Sequence, residues 1–115
     1  MAQTFDEQEL LKRVDNDMVF LGEILQMLET DGRALMAQVK ADLAANDAAA
    51  LNRDAHSLKG MILHFCAAKA QELAFQIEKA GRANDCAAGQ GPATQLEPLF
   101  EELLGELKSF VAAKA

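Results

Sequence analysis

Apolar residues recur along most of this chain at alternating steps of three and four, the spacing that places side chains on one face of an α-helix. Alanine, leucine, glutamate, lysine and glutamine, which favour helices, dominate the composition. No segment alternates β-branched or aromatic residues with polar ones over the length of a strand. The pattern therefore predicts an all-α protein in which each helix buries one apolar stripe.

The first half of the chain carries the signals for two helices. Thr4 and Glu7 have the spacing of a capping box, which predicts a short first helix. That helix is expected to bury Leu10, Leu11 and Val14. The Asp-Asn-Asp run at 15–17 supplies N-caps for a long second helix. Its predicted core positions are Leu21, Leu25, Leu28, Leu35 and Val39, with Gly32 filling a gap and with Phe20, Ile24, Met27 and Leu43 widening the stripe.

The second half continues the pattern with three more helices. Asn46 and Asp47 are expected to end the second helix and cap the third. Glycines and a proline between 81 and 92 predict a loop, so the last helix is expected to begin near Pro92 or Thr94. The predicted core positions are Leu51, Ala55, Leu58, Ile62 and Phe65 in the third helix, Ala70, Leu73, Ile77 and Ala80 in the fourth, and Leu96, Phe100, Leu103, Leu107 and Phe110 in the last.

Short connections between long amphipathic helices favour antiparallel neighbours. We therefore predict an up-down-up-down antiparallel four-helix bundle with a short additional N-terminal helix. With 115 residues, the chain is expected to form a single domain spanning 1–115. The stripes of Leu, Met and Phe are interpreted as core and not as a cofactor site.

The composition also restricts the partners. A formal net charge of -7 argues against nucleic acid or an anionic membrane surface. No secretory leader and no apolar run long enough to cross a membrane is recognised, so a cytoplasmic location is expected. Cys66 and Cys86 have no further Cys or His cluster beside them and are expected to be reduced. The chain has no P-loop and no acidic cluster suited to Mg²⁺, so no cofactor of its own is expected.

The stretch Arg-Asp-Ala-His-Ser-Leu-Lys-Gly at 53–60 places unusual residues on the polar face of the third helix. At 100° per residue, His56 lies opposite the core positions, and Lys59 and Gly60 follow one turn later on the same outward face. Asn52 and Arg53 lie one turn before the histidine. The predicted surface is an exposed imidazole flanked by cations and by a bare backbone patch.

Each member of this group suits a phosphoryl acceptor. A neutral imidazole is nucleophilic, and an ammonium group at Lys59 can stabilise the charge on phosphoryl oxygens. Gly60 removes a side chain at a point where a partner has to approach closely. The same triplet also fits an ordinary polar surface, and residue chemistry alone does not choose between the two.

The sequence Ala-His-Ser-Leu-Lys-Gly at 55–60 resembles the histidine-containing phosphotransfer (HPt) domains of bacterial phosphorelays. Ile-Glu-Lys-Ala-Gly-Arg-Ala-Asn-Asp at 77–85 is similar to the end of the fourth helix in that family. The resemblance covers the whole chain as helices in matching order. It implies that His56 is the phosphorylated residue, that Lys59 assists it electrostatically, and that Gly60 permits docking of a receiver domain.

The same resemblance implies partners and a cofactor arrangement. The chain is expected to be a carrier without autonomous kinase activity, working between response-regulator receiver domains and a sensor or hybrid histidine kinase. Mg²⁺ is expected on the partner receiver domain.

The chain departs from the family pattern after the glycine. His64 stands in place of the usual asparagine, Cys66 in place of a glycine, and Leu63 where alanine is common. These departures bear on which partner is chosen. An apolar patch around Gly60 and Leu63 is expected to be the centre of docking, and the predicted docking residues are Gly60, Leu63, Arg53, Asn52 and His64.

Glu78 is a candidate for orienting the histidine. If the chain reverses near Ala67, position 78 on the fourth helix comes level with His56. A carboxylate at that place can hold the imidazole through its other ring nitrogen.

Two other functions are compatible with parts of the sequence. The first is a helical adaptor that binds a receiver or kinase domain without carrying phosphate. Such an adaptor would not need both His56 and Lys59, so the presence of the pair argues against it. The second is a metal-binding bundle, but the inward Glu and Glu-x-x-His ligands of such bundles are missing. His64 and Cys66 do not share a helix face and have no third ligand, so no metal site is predicted.

Overall fold

The computed structural model describes residues 4–114, and within that range every regular element is helical, which confirms the all-α prediction. The backbone stays in the right-handed helical region from α2 to α3, so these two helices and the π-helical turn between them form one continuous helix. The elements are α1 (Glu7–Arg13), α2 (Met18–Met27), the π turn (Leu28–Gly32), α3 (Arg33–Ala44), α4 (Ala48–Leu63), α5 (Ala68–Arg82) and α6 (Cys86–Lys114).

The π turn changes which residues of α3 face the core. A π turn inserts an additional residue into the helix, so the apolar stripe shifts by one position after it. Met36 is accordingly buried, whereas Leu35, the predicted core residue, is only partly buried. Gly32 ends the turn directly below an aromatic ring, since a Cβ atom there would lie 2.6 Å from Phe100 Cζ. The predicted position of Gly32 in the stripe is thus explained by close packing against α6.

The predicted helix caps are partly correct. The carboxylates of Asp17 and Asp47 accept backbone N–H bonds at the starts of α2 and α4, as predicted. The capping role of Thr4 was predicted wrongly, because Asp6 caps α1. Thr4 instead donates through its backbone N and its Oγ1 to Glu106 Oε1, at 3.0 and 2.8 Å, and so joins the N-terminal segment to α6.

The loop predicted between 81 and 92 is wrong over most of its length, because α6 already begins at Cys86. The reason is tertiary packing. Gly89 is buried, and a Cβ atom at that position would lie 3.3 Å from Ala80 Cβ, so the glycine allows α5 and α6 to approach each other. Pro92 was expected near the helix start but lies inside the helix, where its missing N–H costs one hydrogen bond.

The helices α4 and α5 pack antiparallel and very closely. Their contacts run in opposite order along the two helices. Asn52 lies against Gly81, and His56, which is further along α4, lies against Glu78, which is earlier in α5. A Cβ atom on Gly81 would be 2.5 Å from the backbone N of Asn52 and 2.8 Å from the carbonyl oxygen of Ala48. Because these are backbone atoms that cannot move aside, only glycine permits this spacing.

Most of the predicted core positions are buried. Leu11 and the flanking positions Ile24 and Leu43 are only partly buried, and the other two flanking positions are exposed. Phe20 and Met27 were expected to widen the stripe of the second helix, but they are 47% and 56% exposed. The predicted core residues that are buried are Leu10, Val14, Leu21, Leu25, Leu28, Val39, Leu51, Ala55, Leu58, Ile62, Phe65, Ala70, Leu73, Ile77, Ala80, Leu96, Phe100, Leu103, Leu107 and Phe110.

Along the described chain, no helix combines the length and the hydropathy needed to cross a membrane.

Two buried carboxyl groups, Asp42 on α3 and Asp54 on α4, interact at the interface of these helices. Burial and the hydrogen bond with Asp54 raise the pKa of Asp42 to about 6. Burial also raises the pKa of Asp54, but hydrogen bonds from Asp42 and Arg53 more than offset this and lower it. Gln38 donates to Asp42 Oδ1 at 3.2 Å, and no hydrogen-bond donor within residues 4–114 reaches Oδ2. Below a pH of about 6, Asp42 is therefore the member of the pair that holds a proton.

This pair makes the stability of the protein depend on pH. The folded state keeps a proton on Asp42 that the unfolded state releases at the ordinary carboxyl pKa. The contribution of Asp42 to the free energy of unfolding is therefore complete below that ordinary pKa and is lost as the pH rises through about 6. The variant Asp42→Asn mimics the protonated acid and is expected to be more stable than the wild type at about pH 8, by roughly 1–3 kcal/mol. Urea unfolding at a series of pH values measures this difference.

The exposed Asp31→Asn variant is the control, and its unfolding free energy is expected to follow the wild type at every pH. Parallel pH profiles for the wild type and Asp42→Asn would show that Asp42 does not carry the proton.

Candidate functional site

His56 projects from the outward face of α4, and its side chain is 66% exposed. Its Nδ1 atom lies 2.9 Å from Oε2 of Glu78, which reaches across from α5 and whose side chain is only 3% exposed. A carboxylate can only accept, so Nδ1 of the neutral ring carries the hydrogen and donates it. The lone pair of Nε2 is thereby left free for chemistry on the solvent side.

Lys59 does not point straight outward as the helix geometry predicted. Its side chain is 25% exposed and lies along the seam between α4 and α5, with Nζ 2.6 Å from Oε1 of Glu78. The contact is ionic and is not an aligned hydrogen bond. Nζ also lies 5.0 Å from the centre of the Phe75 ring. The buried carboxylate attracts the ammonium group inward, an effect that a projection of one helix cannot include.

Glu78 is ionised despite its burial. Burial alone raises the pKa of this carboxyl group, but the contacts with Lys59 and His56 more than offset that effect and lower the pKa below its usual value. Arg82, one turn further along α5, adds a hydrogen bond from Nη2 to Oε2 at 3.0 Å. One buried carboxylate thus gathers an imidazole, an ammonium and a guanidinium group at a single point of the surface.

Gly60 has no steric role in the fold, since no heavy atom of residues 4–114, apart from its chain neighbours and the adjacent backbone of its own helix, lies within 4 Å of the position where its Cβ would be. In the interior of a helix such a glycine lowers stability by about 1 kcal/mol relative to alanine. One turn before His56, the guanidinium group of Arg53 is exposed and is held by Asp54 at 3.1 Å. Asn52, by contrast, is partly buried and packs through its backbone against Gly81.

A groove with a volume of about 990 Å³ opens beside His56, between α1, α2 and α4. Gly60 and His64 lie on its α4 side, and His64 is the residue at which α4 ends. Leu63 is 40% exposed but lines a different concavity with Lys59 and Phe75. Gly60 and Leu63, one helical turn apart on α4, therefore line two different concavities of the surface. The apolar residues of the groove are Val14, Phe20, Ile24, Met27, Met61 and Phe65.

Sequence reasoning did not assign four residues of this region to the functional surface. Phe75 and Arg82 share a face of α5 with Glu78, because the three positions are spaced by three and four residues. That spacing was readable in the sequence once Glu78 had been chosen. Phe20 and Met27 were assigned to the core, and only the tertiary structure shows that α2 leaves them exposed.

Within residues 4–114, no group of three or more His, Cys, Asp or Glu side chains is arranged to hold a metal ion. Cys66 and Cys86 are both free cysteines. His64 lies at the end of α4, outside any cluster of possible ligands that the described chain contains.

The comparison with family models assigns the chain to a protein family. The family model of the Hpt domain matches residues 23–110, a range that contains His56, Lys59 and Glu78. No curated protein and no solved structure matches the chain. Hpt domains act in histidine phosphotransfer within phosphorelays and interact with receiver domains and histidine kinases. Because the match covers more than half of the sequence, the chain belongs to the Hpt domain family.

Proposed function

We propose that this protein is a histidine phosphotransfer protein that carries a phosphoryl group on Nε2 of His56. It accepts the group from the phospho-aspartate of a receiver domain, or from a hybrid kinase, and passes it to the aspartate of another receiver. The observation that carries the proposal is an exposed imidazole whose Nδ1 lies 2.9 Å from a buried, ionised carboxylate. This arrangement leaves one ring nitrogen free for attack and fixes the other.

The transfer step balances with the groups present. The lone pair of Nε2 attacks the phosphorus atom, the Nε2–P bond forms, and the P–O bond to the donor aspartate breaks. The aspartate leaves as a carboxylate with the bonding electron pair. The hydrogen on Nδ1 stays in place, so the ring gains a positive charge, which the carboxylate of Glu78 stabilises. The reverse step delivers the group to the next aspartate.

Lys59 is proposed to stabilise the transferred phosphoryl group. Its ammonium group shares the Glu78 carboxylate with His56, so it lies beside the imidazole before the donor arrives. During transfer, negative charge is spread over the three equatorial phosphoryl oxygens, and a positioned cation stabilises that charge. Mg²⁺ for the chemistry at the aspartate belongs to the receiver domain in this proposal.

The groove beside His56 is the proposed docking surface for the receiver domain. Its apolar floor adjoins Gly60, whose missing side chain lets a partner approach the helix backbone. Arg13 and His64 lie at its edge, and Arg53 is exposed one turn before His56. The guanidinium groups of Arg13 and Arg53 give a protein of net charge -7 a local cationic rim suited to an acidic phosphorylated partner.

The proposal includes the topology and the setting of the protein. The order of contacts is reversed between α4 and α5, and also between the continuous α2–α3 helix and α6, where Arg33 pairs with Glu101 and Lys40 with Glu97. Both observations support an up-down-up-down four-helix arrangement in which the α2–α3 helix counts as one member. We treat residues 1–115 as one domain. A cytoplasmic location follows from the proposed partners, a histidine kinase and response-regulator receivers.

Labelling from a phosphorylated receiver domain tests the transfer. The wild type is expected to acquire acid-labile, base-stable phosphate from at least one receiver of a panel, and His56→Gln is expected to acquire none. The matched control is His64→Gln, which removes the other histidine and is expected to keep the label. Binding of receivers without any label on the wild type would identify a non-transferring adaptor, and a label that persists on His56→Gln would place the acceptor elsewhere.

Substitution of Gly60 tests the docking surface. Gly60→Ala is expected to raise the free energy of unfolding by about 1 kcal/mol, because the new Cβ meets no atom and the helix propensity improves. Gly60→Gln is expected to fold as well, but its longer side chain covers the groove beside His56. The receiver concentration for half-maximal transfer should therefore rise by about tenfold, equivalent to roughly 1.4 kcal/mol.

Gly91→Gln on α6 is the control, since the Cβ position of Gly91 is equally open. Transfer by this variant is expected to match the wild type. Unchanged transfer by Gly60→Gln would mean that the receiver docks on another surface.

A further inference from the structure

Phe75 is a large aromatic side chain that is not part of the hydrophobic core. It is partly buried on α5, and it belongs neither to the buried core cluster nor to the apolar residues packed against that cluster. Two ammonium groups instead lie close to its ring, with Lys59 Nζ 5.0 Å and Lys79 Nζ 4.9 Å from the ring centre. Both distances are within the range of a cation–π interaction. Core packing therefore does not account for this phenylalanine.

The ring and Glu78 hold the side chain of Lys59 in different ways. Phe75 precedes Glu78 by three residues on α5, so both face the same side of that helix. The carboxylate neutralises the ammonium group, whereas the ring attracts it without cancelling its charge. The stem of Lys59 is consequently kept in the α4–α5 seam, while the positive charge remains available to another anion nearby.

We infer that Phe75 is a positioning residue for phosphoryl transfer, which keeps the Lys59 ammonium group beside His56 while it exchanges Glu78 for the oxygens of the phosphoryl group. The inference rests on the proposed function. As the Nε2–P bond forms and the P–O bond to the donor aspartate breaks, the phosphoryl oxygens become a second anionic partner next to Lys59. The ammonium group turns toward them while the stem stays against the ring.

The transfer rate of Phe75 variants tests the role of the ring. Phe75→Leu keeps an apolar side chain but removes the aromatic face, and it is expected to lower the transfer rate constant at saturating receiver by about three- to tenfold, the range of a cation–π contact. The receiver concentration for half-maximal transfer should not change. Phe75→Tyr keeps the ring and should restore transfer to within about twofold of the wild type.

Lys79→Ala is the matched control, because it removes the other ammonium group on the same ring. Its transfer rate is expected to equal that of the wild type. A Phe75→Leu variant that transfers at the wild-type rate would overturn the inference.

The double substitution separates positioning of Lys59 from any other effect of the ring. In a Lys59→Ala background, Phe75→Leu is expected to cause no further slowing, because the group that the ring positions is already absent. Equal slowing by Phe75→Leu with and without Lys59 would show that the ring acts on something else, and the positioning role would be refuted.

An NMR measurement distinguishes failure of this inference from failure of the proposed function. The ε-methylene protons of Lys59 are expected to be shifted upfield by the ring in the wild type and in Phe75→Tyr, but not in Phe75→Leu. Ordinary shifts in the wild type would refute the contact itself, whatever the transfer assay gives. If the shifts are as expected but no receiver labels the wild type, the proposed function fails and the positioning role fails with it.

Discussion

A buried negative charge at Glu78 organises the functional surface of this protein. An ionised carboxylate that is almost fully removed from water is strongly destabilising unless it is paired, so its environment has to supply partners. Here the partners are Lys59, His56 and Arg82, at 2.6, 2.9 and 3.0 Å. Because each partner must reach the same two oxygens, the carboxylate sets both the orientation of the imidazole and the inward course of the lysine.

Two glycines inside helices serve this site for opposite reasons. Gly81 on α5 is required by the fold, since a Cβ there would overlap the backbone of α4. The resulting close approach of the helices brings Glu78 within reach of His56. Gly60 on α4 is not required by the fold, because its Cβ position is empty. The same residue type in the same kind of helix thus indicates tight packing in one place and an accessible surface in the other.

The sequence predicted what depends on local periodicity and left out what depends on packing between helices. The helical class, the caps at Asp17 and Asp47 and the outward direction of His56 follow from spacing within one segment. The π turn, with Met36 in place of Leu35, and the early start of α6 at Cys86 depend on contacts with other helices. For the same reason, the inward course of Lys59 was not foreseen, since its cause is a charge on the neighbouring helix.

The account depends most directly on which nitrogen of His56 carries the hydrogen. A long-range ¹H–¹⁵N NMR spectrum of the unphosphorylated protein at alkaline pH measures this tautomer without any partner. With Glu78 Oε2 at 2.9 Å from Nδ1, the spectrum is expected to show a protonated, pyrrole-type Nδ1 and an unprotonated, pyridine-type Nε2. A spectrum with the hydrogen on Nε2 and an unprotonated Nδ1 would contradict the central claim, because the nitrogen proposed to accept the phosphoryl group would then lack its lone pair.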